Sequence, residues 1–209
     1  MIKNYLLFTF LIATSSIFSQ ELYFKTGKNF TKYVYKDESL QVNPNIQSGT
    51  GNFYEVGLVK PFVNKKFLYS VGLSLNDYNA VGGNSAYSYR WNTQYLGIHG
   101  GLLYSLLSDI TSSKKDFDLL IKTGLNGSTI IYGKQEINGV YYDLMHQKEF
   151  SGIIVESSIG FTTKYAIPSF GALSLGYNFC QSINITNTSK EKLSFNTSQL
   201  ELGVHFNIN

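Results

Sequence analysis

Three histidines, His99, His146 and His205, are the residues around which general acid–base chemistry would have to be arranged. By the alternation described below, His99 and His205 fall on a polar strand face. Glu55, Glu156 and Glu201 are conceivable partners there, and Ser70 or Ser158 conceivable nucleophiles. A nucleophile needs its base within hydrogen-bond reach and an oxyanion site beside it. The spacing of these residues does not favour that arrangement over a packed polar network. His146 lies beside Asp143 and Glu149 in a polar stretch and reads as a solvated loop residue. There are no paired cysteines and no histidines at helical or hairpin intervals, so metal binding has no spacing signature. Gly82-Gly83-Asn84 lacks the lysine and hydroxyl residue of a phosphate loop. The expectation is no catalytic residue, no metal and no cofactor.

The elements that would position these side chains are strands. In Phe67–Leu75, Phe67, Tyr69, Val71, Leu73 and Leu75 alternate with Leu68, Ser70, Gly72 and Ser74, so one face is apolar and the other mostly small or polar. The segment from Leu200 to Ile208 repeats the pattern, as does Leu173–Cys180. Eight strands are predicted, near 21–36, 52–63, 67–79, 90–108, 117–133, 149–165, 171–186 and 194–208. The connections at 64–66, 109–116 and 166–170 are short. Those at about 37–51, 80–89, 134–148 and 187–193 are mostly longer and more polar. Alternating short turns and long loops describe an up-and-down barrel with the two kinds of connection on opposite sides of a membrane.

Composition agrees with strands. The chain has 16 Tyr, 15 Phe and 19 Gly against 3 Pro, a mixture that suits pleated surfaces. The single Cys180 allows no intramolecular disulfide. A net charge of +3 is too slight to suggest nucleic acid as a partner. Residues 1–19 read as a secretory signal peptide: Lys3, an apolar run from Leu6 to Ala13, then Thr14-Ser15-Ser16 and a cleavage point after Ser19. The alternative, an N-terminal anchor, would need an apolar run of ~20 residues. Residues 20–209 form the expected barrel domain.

An eight-stranded barrel can be soluble with an apolar interior, or transmembrane with an apolar exterior. The polar face discriminates. Each strand carries a glycine on it: Gly27, Gly57, Gly72, Gly97, Gly124, Gly160, Gly176 and Gly203. Small residues have no reason to dominate a face turned toward bulk water, but they fit a narrow lumen that side chains must fill. The polar groups on that face form the expected lumen network: Lys25, Glu55, His99, Lys122, Glu156, Lys164, Glu201 and His205. Lys122 is expected to meet Glu156 on the neighbouring strand. Tyr54, Phe62, Phe67, Tyr69, Tyr104, Phe117 and Phe161 fall on the apolar face, as interfacial girdles require. The fold class is therefore all-β, an eight-stranded antiparallel up-and-down transmembrane β-barrel.

The pattern resembles the small outer-membrane β-barrel proteins of OmpA- and OmpX-like architecture. Phe24-Lys25-Thr26-Gly27-Lys28-Asn29-Phe30-Thr31 is similar to the first strand of the PorT-like outer-membrane barrel family, and the last strand, with Phe206, resembles the family's C-terminal insertion signal. The family often ends on an aromatic residue, whereas this chain continues through Asn207-Ile208-Asn209. The resemblance implies residence in the outer membrane of a Gram-negative envelope, with outer-membrane lipid and the barrel-insertion machinery as partners. The expected function is structural or interactive and non-catalytic, with an extracellular or envelope protein engaged through the outer loops. A porin-like pore is disfavoured because aqueous channels need about 16 strands. Two alternatives stay open: a lipid-modifying enzyme of the kind known among eight-stranded barrels, and, from the PorT-like resemblance, an accessory of protein secretion.

Overall fold

The computed structural model describes residues 20–39, 41–42, 45–62, 66–83, 88–107 and 116–208. The expected signal peptide lies outside them. Among the described residues the chain forms nine strands: β1 (Gln20–Lys36), β2 (Ile46–Pro61), β3 (Phe67–Gly83), β4 (Ser88–Ser105), β5 (Phe117–Ile137), β6 (Val140–Asp143), β7 (Ile153–Ile167), β8 (Gly171–Asn184) and β9 (Lys192–Ile208). Eight close a ring in the order β4-β3-β2-β1-β9-β8-β7-β5, with β5 pairing back onto β4. Every pairing is antiparallel, and β1 pairs with β9 from Gln20↔Ile208 to Lys36↔Lys192. Closure leaves the ring without a free edge. The ninth strand, β6, pairs only with the end of β5, from Ile137↔Val140 to Lys134↔Asp143.

Three strands run past their expected boundaries for one reason, β3 among them, ending at Gly83 rather than 79, while β7 starts late, at Ile153 rather than 149. β2 starts at Ile46 rather than near 52, entering through a register shift between Ser48 and Phe53. β5 runs to Ile137 and turns through Asn138 and Gly139, both at positive φ, into β6. Past the bilayer both faces of a strand are wet, so the apolar alternation fades although the hydrogen-bonded ladder continues. Polar stretches such as Gln47-Ser48-Gly49 therefore read as loop.

The faces sort as lipid requires. Val71, Leu73, Leu96, Ile98, Leu102, Leu125, Ile159, Leu175 and Leu202 are all exposed on the outside of the ring. Near the end holding the chain termini, aromatic side chains meet in pairs: Phe62 with Tyr69, Phe67 with Tyr104, and Phe170 with Phe206. An apolar outer band edged by aromatics and a polar interior is the arrangement of a transmembrane barrel. Gln20, Ile208 and the ends of β2, β4 and β7 share one end. The opposite end carries the β5–β6 hairpin and is called the outer end below.

The interior is layered. From the end with the termini to mid-barrel the inward side chains are mostly polar or small. Toward the outer end they become Tyr33, Tyr78, Tyr95, Ile130, Ile154, Leu193 and Phe195, joined by Leu144 and Phe150 from the segment between β6 and β7. This apolar plug is absent from the sequence-based picture of a uniformly polar lumen.

Candidate functional site

The polar layer is a network spanning the lumen. Lys25 on β1 faces its register partner Glu55 on β2, Nζ to Oε1 3.5 Å, with both side chains buried. Lys122 on β5 forms an ion pair with Glu201 on β9. Glu201 also accepts hydrogen bonds from Thr162 Oγ1 at 3.0 Å and Asn178 Nδ2 at 3.2 Å. Asn178 donates to Gln199 at 2.8 Å, Gln199 to Asn29 at 3.0 Å, and Asn29 to Asn76 at 3.2 Å. A relay of side chains from β5, β9, β8, β1 and β3 thus crosses the barrel. Buried charges persist only when paired and hydrogen-bonded, and both buried lysines here have a carboxylate.

Lys122 does not meet Glu156. In the β5–β7 register Lys122 stands opposite Gly160, whereas Glu156 stands opposite Asn126. The offset is four residues, about 13 Å along a strand. Glu156 instead accepts a hydrogen bond from Tyr78 Oη at 2.9 Å, with no ion pair among the described residues. The stagger of the strands decides the pairing.

The glycines make room for this network. A Cβ at Gly176 would come within 2.3 Å of Thr162 Oγ1 and 2.6 Å of Glu201 Oε1. Gly57 and Gly72 are cross-strand partners, and a Cβ on either would lie under 3 Å from the hydroxyl of the fully buried Tyr23. Gly97 abuts Asn126, Gly124 abuts His99, and Gly160 abuts Asn178. Gly203 nests against Ser174 and Lys25, and Gly27 against the Leu200 carbonyl. A space within the layer, walled by Lys25, Glu55, His99, Lys122 and Glu201 among others, measures about 30 Å³, room for no more than a few waters.

Above it the plug closes the bore. Phe195 lies 4.8 Å from Tyr33 and 4.7 Å from Tyr78, centroid to centroid, and Tyr95 lies 5.6 Å from Tyr78. The hydroxyls are satisfied: Tyr33 donates to the Tyr78 carbonyl at 2.8 Å, and Tyr95 to the Phe150 carbonyl at 2.9 Å. The alternation contained this signal, since Tyr33, Tyr78, Tyr95 and Phe195 occupy lumen-parity positions.

A second cluster sits near the end with the termini. Glu21, which sequence reasoning missed, forms an ion pair with Lys164 and lies 2.5 Å from His205 Nδ1 through Oε1. His205 Nε2 is 2.8 Å from Ser174 Oγ. Acid, imidazole and hydroxyl stand in the order used for acyl transfer. His99 has Ser70 Oγ at 3.4 Å. His146 is exposed and pairs with Asp143 at 3.3 Å; the backbone N–H of Met145 and then His146 hold the Asp143 carboxyl below its ordinary range. Among the described residues no three His, Cys, Asp or Glu side chains are grouped as metal ligands.

No family model and no curated protein match this sequence. Solved structures do. The outer membrane protein OprG from Pseudomonas aeruginosa superposes with a TM-score of 0.52 at 8% identity, over 90% of this chain and 96% of that one. This chain has the outer-membrane β-barrel fold. Neisserial surface protein A aligns over 88% of this chain and 97% of that one, at 13% identity and a TM-score of 0.49. The outer membrane enzyme PagL aligns over 84% and 98%, at 12% identity and a TM-score of 0.40. The small-barrel architecture implied by the OmpA and OmpX resemblance is thus present. With its apolar band outward, the protein is a transmembrane barrel of the outer membrane. The fold by itself assigns no activity.

Proposed function

We propose that this protein is a non-conducting, non-catalytic barrel of the outer membrane whose working surface is its outer end. The carrying observation is the filled bore: a paired charge network around a space of about 30 Å³, topped by an apolar plug. A bore sealed this way leaves the outer loops and the β5–β6 hairpin as the surface offered to a partner in the envelope or outside the cell. The accessory-of-secretion reading rests only on the likeness of residues 24–31 and has no further support.

The Ser174–His205–Glu21 chain favours a second reading, a hydrolase. Two features weigh against it. Ser174 is buried at 5% exposure against Gly203, where even a Cβ would lie 2.4 Å from its Oγ, so an acyl carbon has no room. The ladders on both sides of Ser174, to Lys164 on β7 and Gly203 on β9, engage the surrounding strand backbone, whereas an oxyanion hole needs N–H groups aimed at the reacting oxygen. A fluorophosphonate probe applied to the folded protein tests the proposal. We expect no covalent labelling. Labelling that disappears in both Ser174→Ala and His205→Ala would replace the proposal with the hydrolase.

A further inference from the structure

Above the plug the barrel widens into a bowl of about 340 Å³ at the outer end, within the ~300–1,000 Å³ range of small-ligand sites. We propose that this bowl binds small organic cations. Its floor and walls carry five aromatic rings, Tyr33, Tyr35, Tyr89, Trp91 and Phe150. Four of them form an arc: Trp91 is 5.9 Å from Tyr89 and 6.2 Å from Tyr33, which is 6.2 Å from Phe150. The floor is fixed in place, because Tyr33 is buried and its hydroxyl is hydrogen-bonded at 2.8 Å.

The charges lining the bowl are of one sign. Glu149 and Glu191 contribute carboxylates, and no lysine or arginine lines it among the described residues. Glu191 is held in place: its carboxylate accepts the Tyr35 hydroxyl, and its backbone carbonyl accepts Asn187 Nδ2 and Ser189 Oγ, each at 2.8 Å. Two nearby lysines are occupied outside the bowl. Lys190 pairs with Glu38 at 3.8 Å, and Lys192 donates to the Asn187 carbonyl at 3.0 Å. Aromatic faces present negative potential and attract a cation within about 6 Å of the centroid, so rings and carboxylates favour the same charge. A phosphate or an acidic sugar would meet repulsion from both. The inference goes beyond the closed-bore proposal, because the plug separates the bowl from the network and a sealed barrel stays sealed whether or not the bowl is filled.

Trp91 is the single tryptophan of the chain, so emission excited selectively at indole, beyond the absorption of the 16 tyrosines, reports on this site alone. The folded protein, in a polyoxyethylene detergent that carries neither a cationic nor a sugar headgroup, is titrated with choline, with its neutral isostere 3,3-dimethylbutan-1-ol, and with maltose. We expect a saturable change in Trp91 emission with choline and affinity for the neutral isostere at least about tenfold weaker. The double variant Glu149→Gln, Glu191→Gln should lower choline affinity and leave the isostere unchanged, with heat-modifiable mobility showing that it folds. Equal affinity for choline and the isostere would overturn the proposal. So would a response to maltose alone, or no saturable response to choline from folded protein.

Discussion

Glu201 and Glu156 are buried carboxylates on the same lumen face, yet they should answer mutation differently. Glu201 balances Lys122 and gathers Thr162 and Asn178. Glu201→Gln leaves the Lys122 ammonium enclosed and unpaired, with an expected loss of about 3–5 kcal/mol in urea unfolding from lipid. Glu156 touches Tyr78 Oη, and an amide oxygen can accept that same hydrogen bond. Glu156→Gln should therefore cost less than about 1 kcal/mol. Pairing of Lys122 with Glu156 would reverse the order, so the two variants measured side by side decide between the observed network and the one expected from neighbouring strands. The face each charged residue occupies was legible from the period-2 pattern. Its partner was not, because partners across a lumen depend on strand stagger, which no local spacing encodes. Glu21 has the lumen parity of Lys25 and Gly27 within the expected strand 21–36, so its face was legible; its partners Lys164 and His205 again depend on strand stagger.

The strands were legible wherever lipid enforces a difference between faces. Phe67–Leu75 alternates because Val71 and Leu73 must meet hydrocarbon while Ser70 and Ser74 pack inside. Where water touches both faces, as at the start of β2 and the end of β5, the signal is lost and the expected boundaries fell short. The lumen parity of Tyr33, Tyr78, Tyr95 and Phe195 carries the plug in the sequence, but aromatics are common on either face of a strand, so parity alone does not mark a plug. The closing of the plug by Leu144 and Phe150 was not readable, since these loop residues have no periodicity to place them. The element-scale prediction follows from the faces. Val71→Arg carries a charge into the apolar band and should destabilise folding into lipid by about 2–4 kcal/mol if it lies near the midplane. Wild-type stability for Val71→Arg in folding titrations would show that this face does not meet lipid.

The ring as a whole has a direction. Both ends of the described chain, Gln20 and Ile208, share one side because eight antiparallel strands return to where they began. Export followed by insertion from the periplasm places that side inward. A protease-cleavable tag inserted at Asn138, in the β5–β6 turn, should be cut on intact cells, and one at Ser169, in the turn between β7 and β8, should be cut only after the outer membrane is permeabilised. Cleavage at Ser169 on intact cells would invert the orientation and turn the bowl toward the periplasm. The closed bore is the feature on which the functional account depends, and conductance measures it directly. Reconstituted in planar bilayers, the folded wild-type protein should pass no steady current above that of the bare membrane, because the paired charge network and the packed aromatic plug stand across the water path. A large, steady conductance from the folded wild-type protein would contradict the account.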